Sequence, residues 1–182
     1  MGGLELGLAP TFNTWAQITF LHMYLLTTRI RVFPADHAPA WHQHLLDHFF
    51  YEAENRMTVI HNVHARAVRN KYLKDLFIQW RGLTAGYDEG LIKGDAVLAA
   101  AVWRNVFKGD EEVDLRRLGE VVSYMRRVLK TLDTVQDEAV ASGRVRFGNP
   151  GSEKEVVSVA SKMMAVPITD TDLKPAEGQK KA

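Results

Sequence analysis

Residues Trp15 to Leu26 form the longest apolar stretch of the chain, interrupted by Gln17 and His22, and where they go dictates the rest of the architecture. At 100° per residue, Trp15, Ile18, His22, Leu25, Leu26 and Arg29 fall on one helical face, while Phe20, Met23 and Tyr24 occupy the other sides. A helix that is apolar nearly all round is central in a fold or covered by a partner. It is too short and too interrupted to cross a bilayer, which takes about 20 apolar residues. Thr11 or Asn13 is placed to cap it, and it reaches about Arg29.

The elements that follow carry helical periods as well. Phe33-Pro34-Ala35-Asp36 breaks the first pattern, and Asp36 is positioned to cap a second helix. Trp41, Leu45, Leu46, Phe49, Phe50 and Ala53 give that helix a core face running toward Ile60. A third helix is predicted from about Ala65, with its apolar stripe between Val68 and Leu83. It runs into Gly82, Gly86, Gly90 and Gly94, spaced four apart, so that on a helix they share one face and permit close backbone approach before a turn near Gly94-Asp95. Asp95 is expected to cap a short helix, Ala96 to Phe107, stopped by Gly109. Leu115, Leu118, Val122, Met125, Leu129 and Leu132 form a heptad seam on a last long helix expected to end near Gly143. Residues 144–147 are expected to be extended, ahead of a turn at Gly148-Asn149-Pro150-Gly151. Val156, Val157, Val159, Met163 and Met164 could form one short docked helix, and disorder is expected from Ile168 onward.

The reading is therefore all-α: a single compact helical domain of about five to six helices with a flexible C-terminal tail. The divisions are a flexible N-terminus over 1–10, a helical domain over 11–147, and a tail over 148–182. A hydrophobic share of 46% in 182 residues suits one core rather than two. The absence of cysteine rules out disulfides, thiolate zinc sites and a cysteine nucleophile. A net charge of +1 gives no global attraction to nucleic acid or anionic lipid, so any such attraction must be local. Met1-Gly2-Gly3 has no basic n-region and Leu6 stands where a myristoylation motif needs Ser or Thr, so neither a signal or transit peptide nor that lipid is expected at this start.

Phosphate-loop, dinucleotide-binding, Gly-x-Ser-x-Gly and kinase signatures are all missing. Asp88 and Glu89 are adjacent, so on a helix they diverge by about 100° rather than converge on a substrate. His44, His48 and Glu52 lie one helical turn apart, with His37 on the same side, which would suit a metal-dependent helical-bundle enzyme; histidines on a wet helix face are the plainer reading. His22 reads as a buried group hydrogen-bonded to a neighbouring helix, or else as a ligand for haem iron or a client contact. Neither metal nor cofactor is expected, and no catalytic residue is assigned. Two clusters each carry five basic residues against one acidic. They are Arg66, Arg69, Lys71, Lys74 and Arg81 against Asp75, and Arg116, Arg117, Arg126, Arg127 and Lys130 against Glu120. Each is either an RNA-contacting face or a solvated one.

One stretch is more specific. Gly86-Tyr87-Asp88-Glu89-Gly90-Leu91, then Asp95, then Leu98 through Phe107 resembles the ubiquinol–cytochrome c chaperone family. Val122-x-Tyr124-x-Arg126, Leu132-Asp133, and Trp15 through Leu21-His22-x-x-Leu25-Leu26-x-x-Arg29 are similar to that family's pattern too, so that the resemblance covers about residues 12–147. It implies a non-enzymatic assembly factor for respiratory complex III, at work on the matrix side of the mitochondrial inner membrane. It also implies a small assembly-factor partner protein, a position near the mitochondrial ribosome exit, and newly made cytochrome b as client. On that footing Arg66, Arg69, Lys71 and Lys74 are expected to meet an anionic surface, of ribosomal RNA or of lipid. Trp15, Leu21, Tyr24 and Leu25 are candidates for a partner- or client-facing patch, although the core has an equal claim on them. A general RNA-binding helical module is the alternative.

Overall fold

The computed structural model describes residues 7–159. Their order is α1 (Phe12–Ile30), α2 (Ala38–Val59), α3 (Arg66–Lys93), α4 (Asp95–Asn105), α5 (Leu115–Asp133), α6 (Asp137–Ala141), a 3-10 turn (Pro150–Glu153) and α7 (Lys154–Ser158). Among the described residues the fold is all-helical, with seven α-helices where the sequence suggested five to six. Disorder beyond Ile168 and the docking of Met163 and Met164 lie outside the described residues.

Helix α1 is the axis of the fold. Its first turn is closed by Thr11, whose hydroxyl accepts from the Thr14 N–H at 3.1 Å. It packs against α2, α3 and α5, and Ala16, Phe20, Tyr24 and Leu25 along it are fully buried. Burying a side chain of that size contributes about 1.5–3 kcal/mol. Phe20 meets Phe49 of α2 and Trp80 of α3 at centroid distances of 4.5 and 5.5 Å, so three helices share one aromatic joint.

Two caps differ from expectation. Asp36 does not cap α2; His37 holds that position without a side-chain bond, and Pro39 lies in the first turn. Asp95 is the first residue of α4 rather than its cap, because Gly94 (φ 111°) makes the turn, and the freed Asp95 carboxylate accepts from Arg126 at 2.9 Å. The long heptad helix also ends earlier than its pattern suggests, at Asp133, and α6 follows as a separate element stopped at Gly143 (φ 68°). Arg29 accounts for the break. Its guanidinium donates to the carbonyls of Leu132 and Val135 and pairs with Asp137, satisfying carbonyls that a continuous helix would have used internally.

The four-residue glycine spacing resolves into distinct roles. A Cβ on Gly90 would lie 2.5 Å from the Leu98 Cα, so here α3 and α4 touch through backbone. Gly86 faces Ala101 at an ordinary 3.5 Å, and Gly82 faces open space. Two alanine substitutions should therefore act oppositely. Gly90→Ala should cost about 1–3 kcal/mol by overpacking. Gly82→Ala should stabilise by up to about 1 kcal/mol through helix propensity alone. Urea denaturation of both variants checks this, and equal effects of one sign would refute the close approach.

Candidate binding surfaces

Helix α3 is long, about 42 Å for its 28 residues, and its N-terminal half stands largely clear of the core. Leu76 and Trp80 point inward. On the outer arc, Arg66, Lys71, Lys74 and Arg81 are exposed and interleave with exposed Phe77 and Ile78. Among the described residues none forms an ion pair with those four cations. Arg69 is different: it donates to Glu54 at 3.1 Å and to the carbonyls of Val63 and His64, which ties α3 to the end of α2. Three of the four positions expected to meet an anion are therefore free to do so, and the fourth is a structural clamp.

Two of the five cations of the second basic cluster are spent inside the fold. Arg126 pairs with Asp95, and Arg127 pairs with the buried Glu153, which also accepts from Ser123. These contacts staple α4 and the 3-10 turn onto α5, so Arg126 and Arg127 serve as internal fastenings.

For the protein-facing patch, the structure assigns three of the four residues to the core. Leu21 is 3% exposed, and Tyr24 and Leu25 are 0% exposed. They cannot meet a partner without unfolding α1; the packing of α1 against three helices took them. Trp15 alone reaches the surface. It stacks on Phe49 at 5.5 Å, carries the Arg56 guanidinium 4.5 Å from its ring, and helps line an open apolar groove of about 340 Å³ with Leu8, Phe12, Ile18 and Ile60.

His22 takes the hydrogen-bonded role. Its Nδ1 lies 2.8 Å from the Ile18 carbonyl and its Nε2 lies 2.8 Å from the Tyr124 hydroxyl on α5. A carbonyl only accepts, so Nδ1 bears the proton and Nε2 accepts from Tyr124. Burial holds the ring below the usual histidine value, with the Ile18 bond opposing in part, and burial pushes the Tyr124 phenol up to about 12. Both nitrogens are occupied, which leaves no lone pair for an iron. Nor do His44, His48 and Glu52 assemble: Glu52 turns to Arg56 at 2.7 Å, and among the described residues no group of three or more His, Asp or Glu is placed to hold a metal ion.

Sequence reasoning missed the cluster around Asp88. Its two oxygens accept from the Arg31 guanidinium at 2.7 and 3.0 Å, and one also accepts from the Tyr24 hydroxyl at 2.9 Å. Glu89, one residue on, points to Lys93 instead. The divergence of the two carboxylates was legible; that Asp88 faces the end of α1 depends on how α3 crosses it, which spacing does not reveal.

The fold and these surfaces define an all-helical domain whose outward features include a basic, partly apolar helix face and the open Trp15 groove. No solved structure gives a significant match. Residues 4–147 match the family described as Ubiquinol-cytochrome C chaperone, and the chain belongs to that family. It is similar to the mitochondrial protein CBP3 of Saccharomyces cerevisiae, 37% identical over 151 residues, which is 83% of this chain and 45% of the yeast protein. Ubiquinol-cytochrome c reductase complex assembly factor 1 of Mus musculus is 29% identical over 86% of this chain and 52% of its own length. The Xenopus laevis protein of that name is 28% identical over 84% and 74% respectively. The chain thus spans about half the length of the yeast and mouse relatives.

The His22 arrangement predicts a pH dependence of stability. The unfolded ring takes up a proton near pH 6.5, while the folded ring, held lower, resists it. Below pH 6.5 the unfolded state then binds more protons, so stability falls as the pH drops and levels off only below the folded value. Chemical denaturation from pH 7.5 to 5 should show this decline, and His22→Gln should make it shallower. An unchanged slope in the variant would remove His22 as a source.

Proposed function

We propose that this chain is a non-enzymatic assembly chaperone for respiratory complex III. In this reading it binds newly made cytochrome b together with a small partner protein, near the mitochondrial ribosome exit on the matrix side of the inner membrane. The observation that carries the proposal is family membership over residues 4–147, supported by relatives named for ubiquinol-cytochrome c reductase assembly. No described helix is long and apolar enough to cross a membrane, which fits contact with the inner membrane from one side only.

The surfaces divide naturally between two kinds of contact. The outer arc of α3 offers Arg66, Lys71 and Lys74 to ribosomal RNA or anionic lipid headgroups, with Phe77 and Ile78 beside them for base faces or acyl chains. The Trp15 groove suits an apolar side of the small partner by helix-in-groove packing. Ile60, 58% exposed on the rim of that groove, is a contact rather than a core residue.

Three outcomes test this reading. Affinity purification from gently solubilised mitochondria should recover cytochrome b, mitoribosomal proteins and one small protein. Recovery of RNA with unrelated proteins would favour a general RNA-binding module instead. Reversing Arg66, Lys71 and Lys74 to glutamate should reduce ribosome co-sedimentation at least about tenfold, more steeply at low salt, with little change in Tm. Arg69→Glu, by contrast, should lower Tm through loss of the α2–α3 clamp. Ile60→Asp should release the small partner while leaving ribosome association and folding intact, and retention of the partner would move its site elsewhere.

A further inference from the structure

A second cleft, of about 580 Å³, opens where the end of α1, the start of α2 and the middle of α3 converge. Its polar lining is Thr27 and Arg31 from α1, His42 from α2, and Arg81, Thr84 and Asp88 from α3. Ile30, Trp80 and Pro39 give it an apolar floor.

The charge balance of this lining is settled by the bonds already made. Asp88, the one carboxylate, has its charge paired by the Arg31 fork and also accepts from the Tyr24 hydroxyl. Arg81 has no ion-pair partner among the described residues, so the cleft is left with uncompensated positive charge. Thr27 supplies an independent sign of a ligand. It is 2% exposed, and its hydroxyl has no hydrogen-bond partner among the described residues. A buried hydroxyl without a partner is costly and ordinarily has one, and Thr27 is among the residues that line this cationic cleft. The start of α2 adds to this: Ala38 and Pro39 line the cleft, and the first turn carries no acidic residue to offset the positive end of the helix dipole. Burial and the nearby Arg31 charge both hold the half-buried His42 ring below the usual histidine value, in keeping with an electropositive site.

The geometry of the donors selects among anions. The Arg31 fork is already on Asp88, so the cleft's free donors are the others. What remains is the whole Arg81 guanidinium, the His42 ring, the Arg31 Nε and the Thr27 hydroxyl, donors spread over three helices and more than the two coplanar oxygens of a carboxylate can engage. Such a set suits a tetrahedral oxyanion, whose oxygens point in several directions. The volume exceeds that of a bare oxyanion, and the apolar floor gives a small organic body somewhere to rest. We propose that this cleft is a phosphomonoester-binding site, with Arg81 and Thr27 as its anchoring residues. The phosphate could be carried by a soluble small molecule or by a lipid headgroup, and the proposal stands independently of the ribosome-facing role of α3.

The test uses the full chain at fixed ionic strength, with three probes: inorganic phosphate, glycerol 3-phosphate, and phosphatidylcholine vesicles with or without phosphatidic acid. Glycerol 3-phosphate should raise Tm and shift the His42 ring resonances, and it should bind more tightly than inorganic phosphate. Arg81→Ala, an exposed position, should weaken binding at least about tenfold, the loss expected for one charge-assisted hydrogen bond. Thr27→Val is nearly isosteric; it should raise the Tm of the free protein by removing the unpartnered hydroxyl, and yet weaken binding. A response confined to phosphatidic acid vesicles, and lost in the same two variants, would assign the site to a lipid headgroup. If no probe perturbs His42 or Tm, or if both variants respond as the parent chain does, the proposal falls.

Discussion

Everything in this domain is organised around the burial of α1 from nearly every direction. A 19-residue helix with Phe20, Tyr24 and Leu25 fully buried cannot lie on a surface, so α2, α3 and α5 must close around it, each contributing a face. The aromatic joint of Phe20, Phe49 and Trp80 fixes α2 and α3 relative to it. The His22–Tyr124 bond and the Arg29 clamp fix α5, at positions seven residues apart along α1. Polar contacts set the registry of this core while apolar burial supplies most of its stability.

That arrangement also decides which parts of the chain are left outward. Because α3 is longer than the helices it packs on, its N-terminal half extends past the core, and there it carries cations interleaved with exposed rings and aliphatic side chains. The Trp15 groove exists for a related reason: the start of α1 emerges from the bundle beside the end of α2, and the two ends leave apolar surface between them. The cleft at Asp88 lies near the opposite end of α1. Both ends of the central helix are thus openings, and its middle is sealed.

Much of this was legible in the sequence because helical periodicity and turn chemistry are local. Thr11, Gly94, Gly109 and Gly143 mark turns or ends where their residue types suggest them; α4 itself ends at Asn105, and Gly109 closes the following turn by donating its N–H to the Trp103 carbonyl. The illegible parts depend on contacts between distant residues. No local signal ends a heptad seam at Asp133; that break requires Arg29, more than a hundred residues earlier, to bind the Leu132 and Val135 carbonyls. Leu115 shows the same limit from the other side, since it keeps the heptad spacing but stands 77% exposed, one turn before α5 meets α1. The candidate surface divided similarly. Periodicity cannot say which side of an all-apolar helix is covered, so Trp15, Leu21, Tyr24 and Leu25 looked alike until their neighbours were in place.

The cations make a last point about how charge should be read. Counting placed ten basic residues in two equal clusters, yet the fold uses them differently: Arg69, Arg126 and Arg127 hold carboxylates, and Arg66, Lys71, Lys74 and Arg81 do not. Arg29, Arg31, Arg56, Arg69, Arg126 and Arg127 all hold carboxylates, and Arg29 and Arg69 hold backbone carbonyls as well. The planar, multidentate guanidinium suits such clamps. Lys71 and Lys74, compact and strongly hydrated, stay on the outer arc of α3, joined by Arg66 and Arg81. An arginine within reach of a carboxylate on another helix is therefore first a fastening, and a surface that contacts an anion is assembled from the cations the fold has no use for. By that criterion the outer arc of α3 and the Asp88 cleft are places where this domain keeps positive charge in reserve. They are adjacent, because Arg81 belongs to both.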